Sequence, residues 1–415
     1  MKRREFIQSS AALAVGAVAG AVPSEGEARE DKSVIKKYKR VGRTEMKISD
    51  ISFGAGQLSS SALVLRAIDR GINYFDTAPD YGESEKLIGQ ALKRVENREK
   101  IYLASKFCDP ISYSAGKSHL QVGASKADYI ASVDGSLKRL GVDYLDVVFV
   151  HAIGERNQLD AEKRRLLDPN MLAAVESLKK AGKMRYLAVS SHGPYHLEEL
   201  MLEAVNSNHF DLIMPSFNFM KFPRIPEVLK EAKKRGVGVI AMKTLAGARD
   251  SGVAFEPGVF EQSALRWVLH HEEVDGLVVT FKSVNHLNDY LPASGQVFTW
   301  NDQRHLDRYA ALHGSNYCRT GCGECASSCP DWVDIAAILR YQMYFESYGD
   351  EKKAMVSYSN LDNNAEGCLG CEQPQCDSAC RYGLAVGEKL RAAHRTLTMQ
   401  SLSQTTPQKD KDHSI

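Results

Sequence analysis

The choice of fold begins with Val147-Val148-Phe149-Val150, four consecutive apolar residues directly before His151. A strand that is apolar on consecutive residues is buried on both faces, as in a parallel sheet covered by helices. Similar short runs occur on both sides of it, and the full set of predicted strands is Ile51–Phe53, Tyr74–Asp76, Ile101–Lys106, Leu145–Val150, Tyr186–Ser190, Leu212–Ser216, Val237–Met242 and Leu277–Phe281. Amphipathic stretches between them predict helices at Ser84–Val95, Ile130–Leu140, Met171–Lys180, Leu197–Val205, Pro226–Arg235 and Gln262–His270.

The number and spacing of these units predict an α/β protein built on a (β/α)8 TIM barrel. Eight strand–helix units within roughly 250 residues match the size of that fold. A doubly wound sheet is the competing architecture, and it usually carries a glycine-rich phosphate turn after its first strand. The sequence Ser52-Phe53-Gly54-Ala55-Gly56-Gln57 lacks the third glycine of such a turn, so the barrel is preferred.

Composition and cysteine distribution suggest how the 415 residues are divided. The chain is 43% hydrophobic and 25% charged, as in globular proteins, and its 53 basic residues nearly balance 52 acidic ones. No bulk positive charge is present, so nucleic acid is not an expected partner. Eight of the nine cysteines lie between Cys318 and Cys380. We therefore predict a signal and linker over residues 1–33, a barrel over 34–300, a cysteine-rich domain over 301–400 and a flexible tail over 401–415.

The N-terminal residues have the features of a targeting signal. Lys2-Arg3-Arg4-Glu5-Phe6-Ile7 places paired arginines before two large apolar residues, and a weakly apolar run from Ala11 to Val22 follows. This resembles a bacterial twin-arginine signal, which implies the twin-arginine export machinery as a partner and an exported, periplasmic location. Ala19-Gly20-Ala21 offers a cleavage site, and an uncleaved signal would anchor the protein in a membrane. An ordinary secretory signal with a chance arginine pair is the alternative.

Polar residues follow three successive predicted strands, where a barrel carries its active site. Asp76 ends the second strand and is followed by Tyr81, Lys106 ends the third strand, and His151 follows the fourth. When a hydride is added to a carbonyl carbon, the oxygen must receive a proton. A tyrosine can supply that proton, an adjacent ammonium is expected to lower its pKa, and a carboxylate would hold the ammonium in place. Taken singly, each residue also has an ordinary structural explanation.

Taken together, these residues resemble the aldo-keto reductase family. Gly71-Ile72-Asn73-Tyr74-Phe75-Asp76-Thr77-Ala78, Tyr81-Gly82 and Ser84-Glu85-Lys86-Leu87-Ile88-Gly89 are similar to its signature. The resemblance implies that Tyr81 is the general acid or base, that Asp76 and Lys106 tune it, and that His151 orients the substrate. It also implies a small-molecule carbonyl or alcohol substrate.

The same resemblance implies a nicotinamide cofactor, NADP(H), with NAD possible. Ser190 and Ser191 follow strand five, where the family holds the carboxamide, and Asn218 and Lys243 follow strands six and seven. Lys282 and Ser283 are similar to the Lys-Ser pair that contacts the 2′-phosphate, although Lys282 could instead be a solvated lysine at a helix end. The sequence departs from the family at Met214, where a glutamine is usual, and at Asn288, which stands near the place of an expected arginine.

The C-terminal cysteines form two runs, Cys318-x3-Cys322-x2-Cys325-x3-Cys329-Pro330 and Cys368-x2-Cys371-x4-Cys376-x3-Cys380. Four closely spaced thiolates suit a [4Fe–4S] cubane, and the runs resemble bacterial ferredoxin motifs with one and two extra residues. The resemblance implies a small ferredoxin-like domain with two clusters. One would be held by Cys318, Cys322, Cys325 and Cys380, and the other by Cys368, Cys371, Cys376 and Cys329. Zinc sites and disulfides are the alternatives.

Two functions remain open on the sequence. In the first, an exported reductase exchanges a hydride between NADP(H) and its substrate, and the clusters brace the fold or exchange electrons with a redox protein partner. In the second, an electron-transfer or binding protein keeps the barrel without nicotinamide chemistry, as Met214 and the missing arginine suggest. Cys108, two residues after Lys106, is expected to be a small buried hydrophobic residue.

Overall fold

A computed structural model describes residues 33–111, 118–220, 224–246, 259–319 and 322–398. Residues 1–32 of the predicted signal and linker (1–33), and the predicted tail over residues 401–415, lie outside the described residues. Among the helices that are described, none combines the length and the apolar character needed to cross a membrane.

Eight parallel strands close into a barrel, which confirms the predicted TIM barrel. After a short hairpin of β1 (Tyr38–Arg40) and β2 (Lys47–Ser49), the barrel strands are β3 (Ile51–Gly54), β4 (Tyr74–Asp76), β5 (Tyr102–Lys106), β6 (Leu145–Val150), β7 (Met184–Ser191), β8 (Leu212–Pro215), β9 (Gly238–Ala241) and β10 (Gly276–Thr280). They pair in sequence order, and β10 closes the ring by pairing Leu277 with Ile51 of β3. All eight predicted strands are found, two of them with the predicted ends and the others with ends shifted by one or two residues.

Helices cover the outside of the barrel and continue beyond it. They are α1 (Ser61–Asp69), α2 (Ser84–Leu92), α3 (Lys126–Leu140), α4 (Leu159–Leu166), α5 (Pro169–Lys180), α6 (Leu197–Asn206), α7 (Ile225–Lys234), α8 (Val259–His270), α9 (Val284–Tyr290), α10 (Trp300–His313), α11 (Ile335–Met343), α12 (Glu351–Ser359), α13 (Gln375–Ser378) and α14 (Val386–Leu397). The main apolar core lies between the barrel strands and α1 to α9. Phe53 is central to it, because its ring packs 5.3 Å from Phe75 and 5.1 Å from Phe281.

The hairpin β1–β2 closes the N-terminal end of the barrel and was not predicted. Val41, Met46 and Ile48 are fully buried in the same cluster as Tyr74 and the other inward-facing barrel residues. Gly42 has a φ of +46°, and a Cβ built there would lie 2.3 Å from the backbone nitrogen of Gly238. Only glycine allows this close approach. Because one end is closed, any ligand site must open at the other end, where the strand carboxyl ends lie.

The C-terminal part of the chain is helical and packs against the barrel. Helix α10 lies on α8, where Asp302 accepts hydrogen bonds from Ser263 and Arg266, and the Tyr309 ring stacks 4.5 Å from Phe260. Helices α11 to α14 have a separate apolar core that includes Ile338, Tyr358 and Leu390. Described residues from 300 to 398 contain no strand, so the ferredoxin resemblance rests on cysteine spacing.

Candidate active site

A buried ion pair lies at the carboxyl ends of two adjacent strands. Lys106, the last residue of β5, donates hydrogen bonds to both carboxylate oxygens of Asp76 at 2.9 and 2.8 Å. It also donates to the carbonyl of Thr77 at 2.7 Å. The side chains are only 2% and 8% exposed. Burial raises the pKa of Asp76, and the Lys106 charge opposes that rise. The parallel register brings these strand ends together, as the sequence predicted.

Tyr81 covers this ion pair. The Lys106 Nζ lies 4.9 Å from the centre of the Tyr81 ring, so the phenol adjoins the ammonium. Burial raises the pKa of Tyr81 well above its usual value, and the charges of Asp76 and Asp80 raise it further. The net direction is therefore opposite to the one expected from the sequence, because burial outweighs the effect of the adjacent ammonium, whose charge is already paired with Asp76. Tyr81 is held as a neutral phenol, which suits a proton donor.

His151 follows β6 and lies behind the cavity wall. Its Nδ1 is 2.9 Å from Cys108 Sγ, and its ring centroid is 5.9 Å from that of Tyr81. Burial lowers the pKa of His151 well below its usual value, and His119 and Lys106 lower it further, so the imidazole is neutral. Arg165 of α4 fixes the backbone here by donating to the His151 carbonyl and pairing with Glu162 at 3.0 Å. The assignment of His151 as the substrate orienter stays a prediction.

A cavity of about 1770 Å³ opens above Tyr81 and Lys106. Pockets for drug-sized ligands occupy about 300–1,000 Å³, so this cavity has room for a nucleotide and a substrate together. Of the predicted cofactor residues, Ser190, Lys243 and Lys282 line it, as does Met214. The cavity therefore lies where the sequence placed both the proton donor and the cofactor.

The remaining predicted cofactor residues make internal contacts in the structure. The Ser191 hydroxyl donates to the carbonyl of Ile153 at 2.8 Å, and the Asn218 amide donates to the carbonyl of Lys243 at 3.0 Å. Ser283 is the residue that precedes α9, at its N-terminal cap. Ser190 lines the cavity and also makes an internal contact, because its hydroxyl accepts a hydrogen bond from the backbone N–H of Ala152 at 3.0 Å.

The C-terminal segment supplies part of the cavity wall, which sequence reasoning missed. Tyr344 and Tyr348, in a π-helical turn after α11, lie 4.7 and 4.3 Å from Lys243 Nζ, measured to their ring centres. Lys282 Nζ donates to the carbonyl of Tyr348 at 3.2 Å, and Gln57 donates to the same carbonyl at 3.1 Å. These contacts place the segment across the barrel mouth.

Tyr344 differs from Tyr81 in its electrostatic surroundings. Burial would raise its pKa, but Lys243, Arg340 and Lys353 outweigh burial and lower it. Lys353 is half-buried and lines the cavity, and although burial opposes its charge, Tyr344, Glu155 and Asp80 raise its pKa. The sequence signal for this wall was a set of three tyrosines at 341, 344 and 348 with basic residues at 340, 352 and 353 on either side.

The eight C-terminal cysteines fall into two groups. Burial raises the pKa of Cys325 to about 12, and Cys318, Cys380 and Cys322 raise it as well. Burial likewise raises the pKa of Cys368 to about 11, together with Cys329, Cys376 and Cys371. Each group contains one cysteine from the other sequence run. This grouping is the one that the ferredoxin resemblance implies.

The spacing within these groups bears on what they could bind. All nine cysteines belong to described residues, and all are free thiols. Four sulfurs around one zinc ion lie about 3.8 Å apart, since each Zn–S bond is about 2.3 Å. In the described parts of the chain, neither group brings three ligand atoms within 4.8 Å of one another. The iron–sulfur assignment of these groups stays a prediction.

The closed parallel barrel, with a buried Lys–Asp pair and a tyrosine at its carboxyl-terminal rim, defines a TIM-barrel enzyme with its site at the strand ends. The model of the aldo/keto reductase family matches residues 51–263, and the chain belongs to this family. The protein is an oxidoreductase of that family, and the cysteine-rich segment lies beyond the matched residues.

Related proteins cover the barrel to different extents. The chain is 28% identical over 245 residues to the uncharacterized oxidoreductase YrpG of Bacillus subtilis, covering 55% of this chain and 72% of YrpG. It is 30% identical over 221 residues to L-galactose dehydrogenase of Arabidopsis thaliana, covering 50% of this chain and 64% of that enzyme, which is less than two thirds of its length. A solved structure named as an aldo-keto reductase of Pseudomonas aeruginosa gives a TM-score of 0.51 at 24% identity. The match covers 63% of this chain and 97% of the chain in that structure. This likeness shows the fold.

Proposed function

We propose that the protein is an exported reductase that transfers a hydride between NADP(H) and a small carbonyl or alcohol compound, with Tyr81 exchanging the proton. The observation that carries this proposal is the Tyr81 phenol above the buried Lys106–Asp76 pair at the cavity floor. When bound, NADPH would supply the hydride to the carbonyl carbon, and the carbonyl oxygen would then need a proton. Tyr81 gives its proton to that oxygen and becomes a phenolate.

The neighbours of Tyr81 support this proton transfer. Its raised pKa keeps the proton on the phenol until negative charge develops on the substrate, which is what a general acid requires. After transfer, the Lys106 ammonium stabilises the phenolate, while Asp76 holds the ammonium in place. Solvent then returns the proton. In the oxidative direction each step reverses, and Tyr81 is the base.

The cavity wall supports binding of NADP(H), which supplies the hydride when bound. Ser190 is available to the carboxamide, and Lys243 and Lys282 offer positive charge to phosphate groups. Lys282 would exchange its bond to the Tyr348 carbonyl for a phosphate oxygen. The chain's own residues thus provide both ends of a nucleotide site.

Replacement of Tyr81 with phenylalanine tests the proton donor. NADPH oxidation by the Tyr81→Phe variant, measured against a panel of aldehydes and ketones, should fall by about 10²–10⁴-fold. The affinity for NADPH, from fluorescence titration, should change less than threefold. Tyr144→Phe is the matched control, because Tyr144 precedes β6 at the closed end of the barrel. Full activity in Tyr81→Phe, with loss in Tyr344→Phe, would assign the proton to Tyr344 and contradict the proposal.

The two cysteine groups support the proposal that the C-terminal domain carries two [4Fe–4S] clusters. Cys318, Cys322, Cys325 and Cys380 would hold one, and Cys329, Cys368, Cys371 and Cys376 the other. Anaerobically purified protein should absorb broadly near 400 nm and contain about eight iron atoms per chain. Cys380→Ser should remove about half of this iron, whereas Cys108→Ser should leave it unchanged. Zinc in place of iron would refute the cluster assignment.

The positions of the two groups support an electron-transfer role over a purely structural one. Cys371 is exposed, so the second group is open to a redox protein. Cys318 of the first group lines a small recess together with Lys243 and Tyr348, which also line the main cavity. An electron arriving at the second cluster could therefore pass to the first and reach the cavity through one layer of side chains. Reduction of the clusters by NADPH in single-turnover mixing would support this route, and its absence with a bound nucleotide would favour a bracing role.

Export by the twin-arginine route is proposed from the paired arginines. The unaltered protein should be recovered in the periplasmic fraction, and a variant with Arg3→Lys and Arg4→Lys should stay in the cytoplasm. Lys2→Arg is the control, because it keeps the pair. Periplasmic recovery of the double variant would instead indicate an ordinary secretory signal.

A further inference from the structure

Three loops of the barrel rim bring four metal-ligand side chains together. Asp80 follows β4, Cys108 and His119 flank the loop after β5, and His151 follows β6. One ligand atom from each lies within 4.8 Å of the others, and three of the four residues are buried. Cys108 and His119 have no part in the proton transfer proposed above. The proton transfer at Tyr81 therefore does not explain why these four side chains lie together.

The pairwise distances are close to those around a single ion. His119 Nε2 lies 3.5 Å from Asp80 Oδ2, and His151 Nδ1 lies 3.8 Å from Asp80 Oδ1. Tetrahedral zinc would set such N–O pairs about 3.4 Å apart, and S–N pairs about 3.5 Å apart. Cys108 Sγ and His151 Nδ1 are 2.9 Å apart, so an ion between them would widen this contact by about half an ångström.

The charges of the group also suit a divalent ion. One thiolate and one carboxylate balance two positive charges, so the occupied site would be neutral in its buried surroundings. Asp80 Oδ1 is a buried oxygen with no hydrogen-bond partner. A buried acceptor without a partner is destabilising, and metal ligation would supply the missing partner.

The ligands are held by neighbouring residues, as metal ligands usually are. Ser132 of α3 accepts a hydrogen bond from the Cys108 N–H at 3.1 Å and donates one to the Cys108 carbonyl at 2.9 Å. The Ser118 hydroxyl donates to Asp80 Oδ2 at 3.0 Å. Backbone pairing of Cys108 with His119 closes the loop that carries both. The group is thus positioned before any ion arrives.

We propose that Asp80, Cys108, His119 and His151 bind a zinc ion at the edge of the active-site cavity. A set of two nitrogens, one sulfur and one carboxylate oxygen is typical of zinc, and softer or harder ligand sets would select other metals. Asp80 and His119 line the cavity, which gives the ion a path of entry. With four protein ligands the ion would occupy a closed, structural site beside Tyr81.

Metal content and X-ray absorption of the full chain test this proposal. Protein produced with added zinc and purified anaerobically should hold one equivalent more zinc in the wild type and in His209→Asn than in Cys108→Ser and His119→Asn. His209 is the matched control because it is an exposed histidine. The zinc absorption edge of the wild type should fit one sulfur and three nitrogen or oxygen neighbours, and the sulfur should disappear in Cys108→Ser.

Two results would overturn this proposal. The first is an equal zinc content in all four proteins. The second is a zinc coordination shell of four sulfurs that does not change in Cys108→Ser, because such a shell would place the metal among the C-terminal cysteines. Equal zinc would leave Cys108 and His151 as a hydrogen-bonded pair. Circular dichroism confirms that each variant is folded, and His119→Asn serves if Cys108→Ser is not. These readouts do not depend on catalysis, so they are independent of the Tyr81 test.

Discussion

Replacing Asp76 with asparagine should leave the Lys106 ammonium inside the barrel with only the Thr77 carbonyl as a strong partner. The pair is 2.8 Å apart and almost fully buried. Removing one member of a buried ion pair costs about 3–5 kcal/mol, because the other charge is left uncompensated. We therefore expect the free energy of unfolding of Asp76→Asn to fall by that amount, a change of about 10²–10⁴ in the folding equilibrium.

Urea unfolding at pH 7.5, followed by circular dichroism, measures this loss, provided that the slope m is unchanged. Asp134→Asn is the matched control, because Lys183 and Asp134 are 2.7 Å apart but 39% and 44% exposed. An exposed pair contributes about 0–1 kcal/mol. The double variant Asp76→Leu, Lys106→Met should lose less than either single variant, since no buried charge remains. Equal losses in Asp76→Asn and Asp134→Asn would refute the reasoning.

The Lys106→Met variant adds a pH dependence. Burial raises the folded-state pKa of Asp76, and the loss of Lys106 removes the charge that opposes this rise. As pH rises above about 3.8, the unfolded carboxyl ionises first, so stability declines until the folded-state pKa is passed. Lys106→Met should therefore be less destabilised at pH 5 than at pH 8. The same urea series at both pH values checks this.

Three further predictions concern a histidine, a glycine and a lysine. Burial and the nearby Lys243 lower the pKa of His192 in the folded protein, so the stability that comes from the neutral imidazole is present above pH 6.5 and falls below it by about 1.4 kcal/mol per pH unit. The difference in the free energy of unfolding between pH 7.5 and pH 5.5, measured with urea, should therefore be smaller in His192→Gln than in the wild type. Gly42→Ala should destabilise by at least about 2 kcal/mol in thermal unfolding, because of its positive φ and its contact with Gly238, and an unchanged melting temperature would contradict the account of the hairpin. Lys282→Met should weaken NADPH binding about tenfold or more and leave NADH binding unchanged, which fluorescence titration measures, and equal losses would argue against a 2′-phosphate contact.

The barrel could be predicted from the sequence because its strands are buried on both faces. Leu145–Val150 and Tyr74–Asp76 are found where they were predicted, since an apolar strand between two polar turns leaves few alternatives. The hairpin β1–β2 was missed because strands of three residues are too short to show an alternating pattern. Its signal was the Val41-Gly42 turn, whose importance depends on contact with a distant glycine.

The candidate site was predictable as far as strand ends define it. Asp76 and Lys106 meet because parallel strands bring their carboxyl ends to one edge. The Tyr81 pKa was predicted in the wrong direction, because burial by distant residues exceeds the effect of one ammonium. Cys108 lies next to His119 because of the conformation of the loop between them, and Tyr344 and Tyr348 reach the cavity through packing between distant parts of the chain. The periodicity of apolar residues in the sequence predicts neither contact.

The C-terminal segment that crosses the barrel mouth makes the two parts of the chain interdependent. Gln57 and Lys282 both bond to the carbonyl of Tyr348, and Tyr344 and Lys353 complete the wall that the barrel leaves open. A chain that ended before α11 would keep the barrel but would lose one wall of the cavity, and the residues that pack against this wall would become exposed to solvent. Damage to the C-terminal helices would therefore alter the candidate active site directly, because part of its wall belongs to them.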